Sequence, residues 1–186
     1  MPEPKREGGM SLYEALNHRK SSRDFNESAW ITQELLSQAL WSCYGIAEDN
    51  HRTVPSSKGW HPLLVYVFAE EGMYKYDPEA HELMKLFDDD YRSLTGTQSE
   101  VVTEAAVNFV FIGDLRKETR IDDEDKLKRL AVNYNIGHVT MVLYLFVSAN
   151  NMKDVVRGNF NAGSLFKFLG LSEEDYYISL AFSLGY

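Results

Sequence analysis

Apolar residues along this chain recur at two spacings, and each spacing predicts a different element. Leu12, Ala15 and Leu16, and later Leu35, Leu36, Ala39, Leu40 and Cys43, return every three or four residues, which is the stripe of an amphipathic helix. Ser11-Leu12-Tyr13-Glu14 reads as a capping box for the first helix, which ends near His18. Thr32 caps the second, and Gly45 stops it. Residues 79–92, with Leu83, Leu86 and Phe87 on one face, read as helical in the same way, and Thr97-Gln98-Ser99-Glu100 reads as a second capping box. Other apolar stretches are continuous and rich in β-branched and aromatic residues, which predicts strands over Leu63–Ala69, Val107–Gly113 and Tyr177–Leu184. The middle one is apolar enough to be a central strand covered on both faces. Glu71-Gly72 predicts a tight turn into a second strand, Met73–Tyr76, which Asp77-Pro78 breaks.

The longest helix is predicted from Asp122 to about Ser148. Its later half, Val139 to Val147, is apolar nearly all round, as in a helix buried centrally or in a subunit interface. Residues 1–10 read as a flexible arm, 47–61 and 150–162 as irregular loops, and Gly163–Gly170 as a short helix with its stop. Helices and strands mix without regular βαβ alternation. The expected fold class is therefore α+β, one domain over residues 11–186.

Charge and composition narrow the partners. The net charge is −9 and 44% of residues are hydrophobic, so a nucleic-acid or anionic-membrane partner is disfavoured and a full core is affordable. Asp88-Asp89-Asp90 reads as a solvated helical face, because three adjacent carboxylates on a helix point three ways. No apolar run approaches the roughly 20 residues of a membrane span. Cys43 is the only cysteine, set in an apolar run and expected to pack as a small buried hydrophobe. It permits no disulfide within the chain, and with the polar start it suits a reducing, cytoplasmic setting.

Three polar clusters could carry chemistry. Arg19-Lys20-Ser21-Ser22-Arg23 packs three cations and two hydroxyls into five residues, the donors needed to hold a phosphate monoester; a solvated loop is the plain alternative. In Pro55-Ser56-Ser57-Lys58-Gly59-Trp60-His61-Pro62, two hydroxyls, a cation and a glycine can bring backbone N–H groups to an anion or a planar ring. His61 there is either a base or a hydrogen-bonding loop residue. Arg157-Gly158 could set a cation and an exposed N–H beside a ligand, or lie in a solvated loop. His138, in the long helix, reads as a buried hydrogen-bonding histidine. Walker, GxGxxG, HExxH, CxxC and GxSxG patterns do not occur, and no metal site is expected.

These segments, in order, resemble the nitroreductase family of FMN-dependent oxidoreductases. The form resembled is the short one of the SagB-type dehydrogenases of thiopeptide and streptolysin maturation. Arg19 to Phe25 is similar to the family's Arg-Arg-Ser-x-Arg-x-Phe, and Pro55 to Pro62 to its Pro-Ser-Ala-Gly-Gly-Leu-His-Pro. Met73 to Leu83, Gly137-His138-Val139 with Leu143-Tyr144-Leu145, and the closing Leu184-Gly185-Tyr186 also fit. The resemblance implies a mostly antiparallel sheet between helical layers and a homodimer with FMN at the interface. It implies NADH or NADPH as electron donor and a small acceptor such as a nitroaromatic or a quinone, with no catalytic side chain because flavin N5 carries the reaction. By position, Arg19, Lys20, Ser21 and Arg23 would hold the phosphate and ribityl chain. Ser56, Ser57 and Gly59 would come from the partner and line the ring or its ribityl side, Lys58 and His61 would belong to the same cofactor site, and Arg157 and Gly158 would pass the ring.

Three departures qualify it. Gly59 stands where many members carry Asn, Met141-Val142 replaces a common Gln-Asn pair, and the chain ends before the basic C-terminal arm of larger members. A flavin-binding scaffold without turnover, a peptide-azoline dehydrogenase and a flavin-independent interaction module therefore stand as alternatives.

Overall fold

The computed structural model describes residues 1–26, 29–117 and 125–186. Six strands, β1 (Leu63–Ala69), β2 (Gly72–Asp77), β3 (Glu82–Phe87), β4 (Val107–Asp114), β5 (Lys153–Arg157) and β6 (Tyr176–Gly185), form one sheet in the order β3-β2-β1-β4-β6-β5. Every pairing is antiparallel. On one face lie α1 (Leu12–His18), α2 (Gln33–Tyr44) and α4 (Asp125–Ala149). α5 (Ala162–Leu169) packs on the other, in an α/β/α sandwich, and α3 (Ser99–Glu104) is a short helix leading into β4. All eight residues of β4 are buried, as its unbroken apolarity requires. Val107, Phe109 and Phe111 meet Val132, Ile136, Val139 and Leu143 of α4, while Val110 and Ile112 meet Leu165 and Phe166 of α5.

The local start signals of α1 and α2 operate as written. The Ser11 hydroxyl accepts from the Glu14 N–H, the Glu14 carboxylate accepts from the Ser11 N–H at 3.0 Å, and Thr32 accepts from Leu35. Thr97 does not cap α3; the cap position falls on Gln98, whose side chain makes no capping bond. The Thr97 N–H donates instead to the Asn159 carbonyl at 3.0 Å.

Residues 79–91 are not helical, and Arg92 only opens a short 3-10 turn, Arg92–Thr95. The Asp77 carboxylate accepts from the N–H groups of Glu79 and Ala80, and His81 takes a left-handed φ of 51°. That turn sends the chain back, so that 82–87 pair with β2 and leave Leu86 and Phe87 about one-third exposed at the sheet's flank. Spacing at 83, 86 and 87 fits either element, and the turn chemistry decides between them. Asp88-Asp89-Asp90 is accordingly not a helical face: Asp88 pairs with Lys85 and Asp90 with Arg92, each at 2.8 Å. The stretch 150–162 likewise contains a strand, β5, hidden in the sequence by polar residues at both ends and revealed only by pairing with β6. His138 makes its hydrogen bond but is exposed rather than buried. The expected helix start at Asp122 lies outside the described residues. By length and by a mean hydropathy of 1.4, α4 could cross a membrane, contrary to the reading of the runs; here half of that window packs on the sheet as a core helix. The arm at 1–10 is docked along α2: Ser37 donates to the Pro2 carbonyl at 2.5 Å, and the Gln38 amide brackets the Lys5 backbone.

Gly113 sets how closely β4 and α4 approach. A Cβ there would lie 2.5 Å from Val132 Cγ2 and 2.6 Å from its Cγ1. Gly113→Ala forces the two elements apart and is expected to lower stability by about 1–3 kcal/mol, read as an earlier urea midpoint. An unchanged midpoint would show that the packing absorbs a methyl.

Candidate functional site

The basic run begins where α1 ends. The Arg19 N–H closes the helix on the Ala15 carbonyl, and the chain then runs extended beside β5. The Ser22 N–H donates to the Asp154 carbonyl, and the Asn26 N–H to the Tyr186 carbonyl, both at 2.6 Å. Phe25 is buried against Ala105 and Val155 and anchors the far end. Tyr144 of α4 organises the near end. Its hydroxyl shares a hydrogen bond with Ser21 at 3.2 Å and accepts from the Val156 N–H at 3.1 Å, and the Arg19 guanidinium lies 5.4 Å over its ring. Lys153 neutralises Asp24 at 3.7 Å. Arg19, Lys20 and Arg23 form no ion pair among the described residues, which leaves three free cations side by side in a chain of net charge −9.

The second cluster is a single tight turn, Ser57–Gly59, before β1. Lys58 and Gly59 are both left-handed, at φ 51° and 66°, and His61 follows at φ 48°. Ser56 Oγ accepts from the His61 N–H at 2.9 Å and locks the turn, while His138 Nδ1 donates to the Pro55 carbonyl at 3.2 Å and docks it on α4. Ser57, Lys58 and Gly59 face solvent above the buried Trp60. Burial first, and the charge of Arg52 second, push the His61 imidazole below its ordinary range, so it is neutral at pH 7.

Arg157, expected beside a ligand, is 4% exposed here, with its guanidinium in the layer below β6. It donates to Ser183 Oγ at 2.8 Å, the Thr95 carbonyl at 2.5 Å and Asn108 Oδ1 at 2.9 Å. Burial without a carboxylate pushes its pKa down to about 10. Its role is architectural, tying the 95–97 turn to the 157–159 turn. Gly96 is required for this, since a Cβ there would fall 2.1 Å from Arg157 Nη1. Gly158 itself is exposed. Thr95, Asn108 and Ser183 carry no local signal as partners of Arg157, and Tyr144 stands out in the sequence only as a hydroxyl in the apolar half of a helix, within a segment that resembles the family's long helix.

Within one protomer the clusters do not share a pocket. The run and Gly158 flank β5, whereas the 55–61 turn docks at His138. That is six residues from Tyr144, about 9 Å along α4 and about 240° round its axis. Beside the docked turn, α4 presents Leu127, Leu130, Tyr134, Gly137 and Met141 to solvent at intervals of three and four residues, the four side chains being 41–58% exposed. Leu12, Tyr13 and Leu16 of α1 are exposed too.

The chain is similar to a nitroreductase homologue from Methanocaldococcus jannaschii, with 26% identity over 174 residues, covering 88% of this chain and 86% of that protein. In structure it is similar to a nitroreductase homologue from Ralstonia eutropha JMP134, with a TM-score of 0.89 and 32% identity, covering 100% of this chain and 87% of the other. It shares its fold with an NADPH:FMN oxidoreductase from Vibrio harveyi complexed with NAD+, at a TM-score of 0.69 and 16% identity over 94% of this chain and 68% of that one. Residues 16–186, from the helix before the basic run to the last residue of the sheet, match the profile of the nitroreductase family, and the chain belongs to that family.

Proposed function

We propose that this protein is an FMN-dependent oxidoreductase that passes hydride from NADH or NADPH, by way of the flavin, to a small nitroaromatic or quinone-like acceptor. One observation carries the reading: among the described residues Arg19, Lys20 and Arg23 form no ion pair, and they stand along a strip held by backbone hydrogen bonds beside two serine hydroxyls. An unpaired triad of this kind fits a phosphate monoester and little else in so acidic a protein. The isoalloxazine end fits the two glycine-bearing turns, where Gly59 and Gly158 leave backbone exposed for a planar ring to approach. FMN, when bound, supplies the hydride chemistry at N5, and the protein supplies position and electrostatics. Arg19 and its neighbours fix the phosphate, Lys58 offers positive charge toward the ring, and the neutral His61 adds no charge of its own.

The same reading takes the protein as a homodimer. The apolar stripe of α4 is too long for a monomer surface, and a second copy laid on it would bring its own Ser57-Lys58-Gly59 turn toward the site. Family membership and the Vibrio harveyi neighbour, an NADPH:FMN oxidoreductase, support the flavin and nicotinamide part of the reading. The inward turn of Arg157 favours a second reading, a flavin-holding scaffold with little turnover, because it removes one cation from the ring. Purified protein is expected to be yellow and to bleach anaerobically with NADH or NADPH. Colour without bleaching selects the scaffold, and colourless protein that FMN does not reconstitute refutes both.

A further inference from the structure

Two carboxylates are buried among the described residues, Asp114 and Asp154. Asp114 is paired with Arg116 at 2.9 Å. Asp154 is 2% exposed, and its Oδ1 is shielded and receives no hydrogen bond from the described residues. It lies on β5 directly beneath the basic run, since its carbonyl takes the Ser22 N–H. The groups around it do not quench it. Its neighbour Lys153 is turned to Asp24. Arg157, three residues on, is on the other face of the strand with its own partners. Tyr144 of α4 is committed to Ser21 and Val156, and the facing residue of β6 is Leu184. From the run, Arg19 is the charge whose field it feels, while Lys20 and Arg23 are exposed to solvent. Burial pushes the Asp154 carboxyl up to about 7, against the opposing pull of Arg19.

Arg19 thus acts on the buried Asp154 carboxyl below it, and on the flavin reading the same guanidinium would take a phosphate above. We propose that Asp154 is a proton-linked gate on the phosphate subsite: a phosphate monoester that engages Arg19 does so with the Asp154 carboxyl protonated, drawing a proton from solvent as it binds. This rests on the flavin reading above. A dianion arriving within a Debye length of about 10 Å raises the cost of keeping Asp154 ionised. Above neutral pH the carboxylate must first take up a proton, so binding weakens as pH rises. The phosphate's own second ionisation, near about 6, acts in the opposite sense at lower pH. Folding shows the same linkage. The unfolded chain loses this proton at about 4 and the folded chain near 7, so stability falls as pH rises between those values and the loss is complete above 7.

The test is calorimetry of FMN and riboflavin binding to the wild type and to Asp154→Asn, from pH 6.5 to 8.5, in buffers of differing ionisation enthalpy. The wild-type Kd for FMN is expected to rise about ten- to twentyfold between pH 7 and 8.5, with net proton uptake near pH 7.5. Asp154→Asn, and riboflavin on either protein, are expected to show less than a twofold change. Parallel FMN profiles in the two proteins, or no proton uptake by the wild type, would overturn the gate while leaving the flavin reading intact. Absence of FMN binding at every pH overturns both. The wild-type proton count needs no variant, so it decides the matter even if Asp154→Asn folds poorly.

Discussion

Alanine in place of Arg19 weakens FMN binding about ten- to a hundredfold, equivalent to about 1.5–3 kcal/mol, the worth of one charge-assisted contact. Riboflavin, which lacks the phosphate, loses little. Arg19 is singled out among the three cations because it is held in place: its backbone closes α1 and its guanidinium rests over the Tyr144 ring. Less side-chain freedom remains to be lost when the anion arrives, whereas the exposed Lys20 and Arg23 must be ordered at binding. Lys20→Ala and Arg23→Ala are therefore weaker, and their effect fades as salt rises. The measurement is quenching of flavin fluorescence on titration. An Arg19→Ala protein with unaltered affinity would move the phosphate site elsewhere.

Aspartate in place of Met141 is expected to separate the two copies of the proposed dimer and to release FMN with them. Met141 is 41% exposed in the single chain, so a carboxylate there is tolerated by the protomer. In an isologous contact the substitution occurs twice, and each copy buries an unpaired charge at a cost of several kcal/mol. Light scattering should report the mass of one chain, circular dichroism should be unchanged, and FMN affinity should fall by more than tenfold. A dimeric, fully flavinylated Met141→Asp protein would place the interface off this face of α4.

What the sequence disclosed and what it hid follow from the range of each interaction. Ser11 with Glu14 and Thr32 with Leu35 act across three residues, so the starts of α1 and α2 could be read directly. Thr97 carries the same pattern, yet its N–H is claimed by Asn159, a partner 62 positions away, and the box does not form. β3 and β5 are short and partly polar. Nothing local marks them as strands; the sheet does so by supplying hydrogen-bond partners. The cation run and the serine-glycine turn were legible because each is contiguous. The inward turn of Arg157 was not, since it depends on Thr95, Asn108 and Ser183, three residues drawn from three other segments. Asp154 drew no notice because burial alone makes an isolated aspartate unusual, and burial of a five-residue strand is a property of the folded sheet.

The strip from Arg19 to Asn26 has a second consequence. β5 ends the sheet, and its outward carbonyls would be a template for another chain to add a strand, the usual route to clumping. Ser22 occupies part of that flank, its N–H donating to the Asp154 carbonyl, and the cations Arg19, Lys20 and Arg23 beside it repel a like copy. The peptide that would grip the cofactor is thus also the protein's guard against self-association along its open rim, so solubility and cofactor capture cannot be tuned independently there.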